Sequence, residues 1–421
     1  MSSEWPIVRL GDLISLKGGF AYKGEHLGSS GAVLLGMGVV SYSERFLRNG
    51  IRRYTGEYPS SYQVSPGDLV IATRQQSDNL PILGCPALVP NNLPSDNVIV
   101  GTNLYKVTNN SDIDNRFLYW LLRGKDYQSR IVDCTKGTTV RMITKDAIED
   151  FRFNCPPSST RKEIVSLLDE LDDRINLLQE TNKTLEAISQ ALFKSWFIDF
   201  DAVLAKSEGR QPDGMDKATA SIFPGIFEDS ELGKIPRGWR AGKLSNVATL
   251  KGGKMLDKSS FSEAGANPVF GGAGVMGYTD RSNADGFVIT VGRVGAYCGQ
   301  YFWHQGNAWV NNNASLVTPI NPSHAQWLYL WLRNVDMELI KKGAAQPFVS
   351  NGDISELKIA LPPADVIEKF TEYGALIFAK IAQTTMQIKS LINLRDVLLP
   401  RLISGQVRLP AAVSEIEALT A

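Results

Sequence analysis

WPIVRLGDLISLKGG at residues 5–19 returns as WRAGKLSNVATLKGG at residues 239–253. The two lines share Trp5 and Trp239, Leu10 and Leu244, Leu16 and Leu250, and a closing Lys-Gly-Gly. Their offset of 234 residues exceeds half of the 421-residue chain. Solenoid repeats recur about every 20–50 residues, so this spacing predicts duplication of a whole domain.

The repeat continues with drifting register, as duplicated domains with altered loops should. VGTNLYKVT (100–108) aligns with VNNNASLVT (310–318) at an offset of 210, and so do Leu118-Tyr119 with Leu328-Tyr329. GTTVRMITKDAI (137–148) aligns with GAAQPFVSNGDI (343–354) at 206, and Pro156-Pro157 falls on Pro362-Pro363 at the same offset. Each copy opens with short strands and Gly-rich turns, passes through a Trp/Tyr/Leu helix (FLYWLLR, WLYLWLR) and ends in a strand closed by Pro-Pro. DLVIAT and FVITVG read as strands because they are β-branched and aromatic runs bounded by Gly and Asp. The expected fold class is α+β, with an internal pseudo-two-fold repeat.

After each Pro-Pro the pattern changes. Arg161 to about Phe200 contains no Gly or Pro, and apolar residues recur at Ile164, Leu168, Leu171, Ile175, Leu178, Leu185, Leu192 and Trp196. Steps of four and three are heptad spacing. Asn182 and Ser189 interrupt the seam. The second copy runs through Phe370, Gly374, Ile377, Ile381, Thr384, Ile388, Leu391, Arg395, Leu398 and Leu402. Ile388 stands where Asn182 does, so an unmatched polar residue is expected to face an apolar equivalent. Two such helices in one chain are expected to pair with each other, antiparallel, each about 60 Å long at 1.5 Å per residue. The alternative is that each packs on its own domain.

The expected organisation is a first domain over 1–157, a spacer helix over 158–200, and a linker over 201–236. A second domain over 237–363, a second helix over 364–407 and a tail over 408–421 complete it. The linker is rich in Gly, Pro, Asp and Ser with no sustained periodicity and reads as loop, stapled at Phe223 and Phe227.

The bulk numbers fit a globular chain of 43% apolar residues. No apolar run reaches the roughly 20 residues of a membrane helix, and MSSEWPIVRL lacks the regions of a secretory signal. Cys85, Cys134, Cys155 and Cys298 form no CxxC pair, and His26, His304 and His324 are dispersed, which argues against zinc sites and triads. A cytoplasmic location is expected. Net charge is zero, yet residues 1–157 hold 17 Lys/Arg against 15 Asp/Glu, and 237–363 hold 12 against 8. Two mildly basic domains held apart by a stiff spacer suit a ligand with two recognition points, and duplex DNA, whose half-sites on one face repeat about every 34–36 Å, is such a ligand.

Four stretches then carry a resemblance: ALFKSWFIDFDAV (191–203), SELGKIPRGWRAGKLSNVATLKGG (230–253), NPVFGGAGVMGYTDRSNADGFVITVGRVGAYCG (267–299) and RDVLLPRLISGQVRL (395–409). In wording, order and spacing the chain resembles the specificity subunit of type I restriction–modification enzymes over essentially its whole length. The resemblance implies two target-recognition domains joined by two conserved helices that form an antiparallel coiled coil. It implies a non-catalytic subunit reading a bipartite, asymmetric DNA site with an unread gap. Its partners would be two adenine methyltransferase subunits and the restriction subunits, which direct methylation and restriction. No cofactor is expected in this chain; S-adenosylmethionine, Mg and ATP would belong to the partner subunits. In the first copy ATRQQSDNLPILGC replaces the GRxGxxxG of the second.

Candidate contacts follow from residue chemistry. Lys17 and Lys251, each before Gly-Gly, are placed to meet phosphate oxygens, or else are solvated turn lysines. Arg74, Gln75, Gln76 and Arg293 follow strands; Arg pairs bidentately with guanine O6/N7 and Gln with adenine N6/N7. Tyr297 and Asn311 can join them, the alternative being that these side chains brace turns. The equivalent loops carrying Lys136, Thr138 and Arg141, and Lys341, Lys342 and Gln346, are the strongest candidates for groove contact. GGAGVMG (271–277) contains GxGxxG, but YTDRSNADG after it reads as a turn rather than the helix a cofactor phosphate needs. Phe193, Trp196, Phe197 and Phe200 at one helix end, and Leu398, Leu399 and Leu402 at its counterpart, are expected to form an apolar patch. The resemblance assigns that patch to docking of methyltransferase subunits. A self-contained modification enzyme and a bivalent protein scaffold remain the rival readings, with an orphan subunit as a third possibility.

Overall fold

The computed structural model describes residues 5–75, 82–135, 137, 141–262, 265–343 and 346–407. Contacts divide the chain into two compact units, Met1–Leu177 with Ile388–Ala421, and Leu178–Gln387. The division passes through both long helices, Ser158–Phe197 and Ala364–Ile403, of 40 residues each. Among the described residues no helix is long and apolar enough to cross a membrane.

In the first unit, four antiparallel strands lie in the order Ile14–Gly18, Leu104–Asn109, Leu69–Ala72, Pro86–Leu88. A second sheet is built on the parallel pair Ala32–Leu35 and Val98–Val100. The second unit repeats this plan. Its antiparallel sheet runs Ala248–Gly252, Ala314–Pro319, Phe287–Gly292, Tyr301–Gln305, and its parallel pair is Asn267–Gly271 with Trp309–Val310. Leu69–Ala72 and Val288 to Gly292 are buried along their length, which explains runs of apolar and small residues rather than alternation.

The register repeats residue for residue. Lys106 faces Lys17 as Leu316 faces Lys251, and Asn154 faces Ile7 as Ala360 faces Ala241. These are the pairs that the offsets of 234, 210 and 206 require. Each repeat closes on itself, because its last strand (Arg152–Asn154 or Lys358–Leu361) pairs with its first (Ile7–Arg9 or Arg240–Lys243). Pro-Pro then ends the strand, and the long helix starts at the next residue, where the fixed φ of proline suits a helix entry.

The heptad seam is buried in both units. In the first, Ile164, Leu168, Leu171 and Ile175 are buried with Leu391, Leu398 and Leu402. There Arg395 meets Asp172 at 2.8 Å, and Arg45 reaches Asp169, Asp172 and Asp173 at 3.2, 2.7 and 2.9 Å. In the second unit the Phe193 and Phe370 rings stand 5.8 Å apart, and Asn182 donates to Thr385 Oγ1 at 3.1 Å while Thr384 Oγ1 donates to Asn182 Oδ1. Residues late in one helix meet residues early in the other, so the pairing is antiparallel. One expectation is corrected: Asn182 faces Thr384 and Thr385, not an apolar equivalent. The repeat equates Asn182 with Ile388 in sequence, but antiparallel packing sets opposite each residue a different one.

Residues 201–236 also depart from the loop expected there. They hold the helices Asp201–Ser207 and Lys217–Ser221 and a hairpin of Phe227–Ser230 with Gly233–Pro236. Phe223 is buried against Trp196, 5.1 Å between rings, so apolar anchoring prevails over the loop-like composition.

Candidate nucleic-acid interface

In each unit the Lys-Gly-Gly motif ends the first strand of the antiparallel sheet. Gly19 N donates to Leu104 O at 2.9 Å and Phe20 N to Val100 O at 2.7 Å; in the second unit Gly253 N reaches Ala314 O at 2.9 Å and Lys254 N reaches Val310 O at 2.9 Å. The chain thereby crosses from one sheet to the other. A Cβ at Gly19 would stand 1.9 Å from Gly101 O, and at Gly253 2.1 Å from Asn311 O, so only a hydrogen fits.

The next strand but one in the sheet leads to the next candidates. Leu69–Ala72 exits through Thr73 into the short strand Arg74–Gln75, which pairs with Arg141–Met142: Met142 opposite Arg74, Arg141 opposite Gln75. Ile143 N donates to Thr73 O at 3.1 Å. In the second unit Phe348 bridges Val294, and Val349 N donates to Arg293 O at 3.0 Å. The same two bonds therefore tie the loop before residue 143 and the loop before residue 349 to the exits of equivalent strands. Three sequence-predicted segments of each unit converge at one end of its antiparallel sheet.

On this common frame the side chains differ. Arg293 occupies the place of Thr73, and Val294 that of Arg74, so the two arginines are not equivalents. One step along an extended segment turns a side chain to the opposite face. The Arg293 guanidinium passes 3.4 Å from where a Gly252 Cβ would be, and its buried Nε has no hydrogen-bond partner among the described residues. Arg141 is exposed and Arg74 half-buried.

Several candidates are engaged within their own unit. Lys17 donates to Ser61 Oγ at 2.6 Å and lies 4.1 Å over the Tyr62 ring, while Lys106 beside it donates to the Gln63 and Ser61 carbonyls. Lys341 pairs with Glu338 at 2.5 Å and Lys342 with Asp353 at 2.8 Å. Hydrogen bonds from Lys342 and Ser350 hold the Asp353 carboxyl below its ordinary range. Lys251 and Gln346 are exposed, and Tyr297 is half-exposed at 51%.

Two candidates are corrected as base readers. Gln75 and Asn311 are each only 6% exposed. Asn311 accepts from Asn312 N at 2.7 Å and donates to Met276 Sδ at 3.4 Å, so it braces its turn. Gln76, Lys136 and Thr138 lie outside the described residues.

The apolar patch at the helix ends is corrected too. Trp196 and Phe197 are 3% and 6% exposed, and Phe193, Leu398, Leu399 and Leu402 are buried as well. Phe197 packs on Phe370, Trp239 and Trp327 at 5.0, 5.9 and 6.2 Å, and half-buried Phe200 packs on Trp239 at 5.4 Å. Off-seam aromatics here serve the core of their own unit, and Trp239 of the repeated opening line supplies their partner.

GGAGVMG forms a hairpin between Asn267–Gly271 and Gly274–Thr279, with Gly274 at φ 95°. It exposes Val275 and Met276, which sequence reasoning passed over. Val294 and Phe348 were also passed over; the offset of 206 relating Phe348 to Met142 was legible, whereas the equivalence of Val294 with Arg74 emerges only from the strand register.

The profile of the type I restriction modification DNA specificity domain matches residues 2–187 and 236–381. The HindI specificity subunit of Haemophilus influenzae is 26% identical over 377 residues, covering 74% of this chain and 82% of that protein. The MjaIX specificity subunit of Methanocaldococcus jannaschii is 23% identical over 317 residues, covering 70% and 69%. A solved S subunit of a type I restriction–modification system from M. genitalium shares the fold, with TM-score 0.56 at 18% identity over 95% of this chain and 96% of that one. Matched through both copies of its repeat, the chain belongs to the family of type I restriction–modification specificity subunits.

Proposed function

We propose that this chain reads a bipartite, asymmetric DNA target, one half-site through each unit, and directs adenine methylation and restriction carried out by partner subunits. The observation that carries this reading is one backbone frame bearing two side-chain sets. Thr73, Arg74, Arg141 and Met142 of the first unit correspond to Arg293, Val294, Pro347 and Phe348 of the second. A shared frame suits a shared ligand, and unlike side chains suit unlike half-sites. Lysines such as Lys251 position the duplex through phosphates, which makes binding salt-dependent, and loop side chains specify the bases.

In this reading the chain performs no chemistry itself. Two methyltransferase subunits and the restriction subunits act as its partners, with S-adenosylmethionine, Mg and ATP held by them, and the paired helices set the unread gap. Mapping adenine methylation across the genome of origin, with the gene intact and deleted, tests the proposal. Loss of methylation at one two-part motif of fixed gap is expected. Unchanged methylation in cells that express the partner subunits would overturn it.

A further inference from the structure

The end of the second unit's antiparallel sheet presents an apolar surface among cations. Val275, Met276, Val294, Tyr297 and Phe348 are 50%, 52%, 39%, 51% and 43% exposed. Val294 and Phe348 pair directly, and the turn leading to Val275 and Met276 lies against the loop that carries Val294 and Tyr297. Phe348 bridges both Val294 and Lys342, and Gly295 N donates to Pro347 O at 2.9 Å. The 271–274 turn lies against the same loop: a Cβ on Gly292 would meet Gly272 O at 2.2 Å and Tyr297 O at 2.8 Å. Cations lie close by: Arg293 precedes Val294 and reaches Gly252 of the Lys-Gly-Gly turn, where Lys251 and Lys254 are exposed, and Lys342, paired with Asp353, is the other bridge partner of Phe348. At the equivalent points of the first unit stand Arg74 for Val294 and Met142 for Phe348.

Cations beside an apolar patch match a polyanion that carries apolar groups between its charges. Duplex DNA offers one such group in the major groove, the thymine C5-methyl, which apolar side chains contact in place of a hydrogen bond. We infer that the second unit recognises thymine methyl groups in its half-site, through Val294 and Phe348 with Met276 and Tyr297 beside them. This inference rests on the DNA-reading proposal above and adds the chemical class of what the second unit reads. The first unit, with Arg74 and Arg141 at its junction, reads by hydrogen bonds.

The test uses the complex with its methyltransferase subunits and duplexes carrying the methylated motif. The second unit's half-site is the one that changes when residues 237–363 are exchanged for those of a relative. Thymines are replaced by deoxyuridine in one half-site at a time, which deletes the methyl and keeps every base-pairing group. Binding should weaken about fourfold per contacted methyl, the worth of one buried carbon, in the second half-site only. Phe348→Ala and, as a milder surface change, Val294→Ser should abolish that discrimination. A second half-site without any A·T pair would refute the inference outright. Equal binding of thymine and uracil duplexes, with the bipartite motif still preferred over a scrambled one, would overturn the methyl reading and leave the two-reader proposal intact. Loss of partner subunits from Phe348→Ala, with base preference unchanged, would instead identify the patch as a protein-docking surface.

Discussion

Gly253 and Gly19 are fixed by the space around a single hydrogen. Their carbonyl neighbours are backbone atoms and cannot swing away, whereas Gly252 faces only the far end of the Arg293 side chain. Gly253→Ala should therefore destabilise by about 1–3 kcal/mol or more, as overpacking does, and Gly252→Ala far less. Thermal unfolding of the two variants checks this, and equal melting temperatures would contradict it. Trp196→Ala should lose about 3–5 kcal/mol, the range for a large buried aromatic, because it empties a site among Phe223, Phe370 and Tyr373. Asp353 gives a pH signature. Its carboxyl is held below the ordinary range in the folded state, so its contribution is present at neutral pH and lost as pH falls through the folded value. Asp353→Asn should flatten the acid limb of melting temperature against pH, as pH falls below the ordinary aspartate value of about 3.9.

The long helices show what heptad spacing can and cannot disclose. Ile164, Leu168, Leu171 and Ile175 were legible as a seam because burial follows the 3–4 step. The partner of each seam residue was not legible, since antiparallel register depends on how far the helices slide, which one helix's sequence leaves open. Asn182 therefore met Thr384 rather than Ile388. Arg395, a charged residue at a seam position, is 3% exposed and neutralised by Asp172. Arg395→Met should cost up to about 3–5 kcal/mol by leaving a buried carboxylate short of one partner. Arg45 still serves Asp172 at 2.7 Å and limits the loss. Urea unfolding of the single variant and of Arg395→Met with Asp172→Leu checks it, and the double variant should recover much of the difference. The strand frame was more legible than the helix register, because the offsets of 234 and 210 already equated Lys17 with Lys251 and Lys106 with Leu316, and the sheets then pair Lys17 with Lys106 as they pair Lys251 with Leu316. Burial of Gln75 and Asn311 was not legible. A polar residue after a strand looks the same in sequence whether it points outward or back into its own turn.

At the scale of the whole molecule, duplication explains both what is common and what differs. Hydrogen bonds at the sheet end repeat within 0.1 Å in the pairs Gly19–Leu104 with Gly253–Ala314 and Ile143–Thr73 with Val349–Arg293. The residues carried on that frame have diverged, as the proposed reading of unlike half-sites requires. In the proposed reading each unit recognises its half-site alone. Exchanging residues 237–363 for those of a relative, and mapping adenine methylation by long-read sequencing, measures it directly. One half of the two-part motif should change, with the other half and the gap preserved. A change in both halves would contradict independent reading by two units.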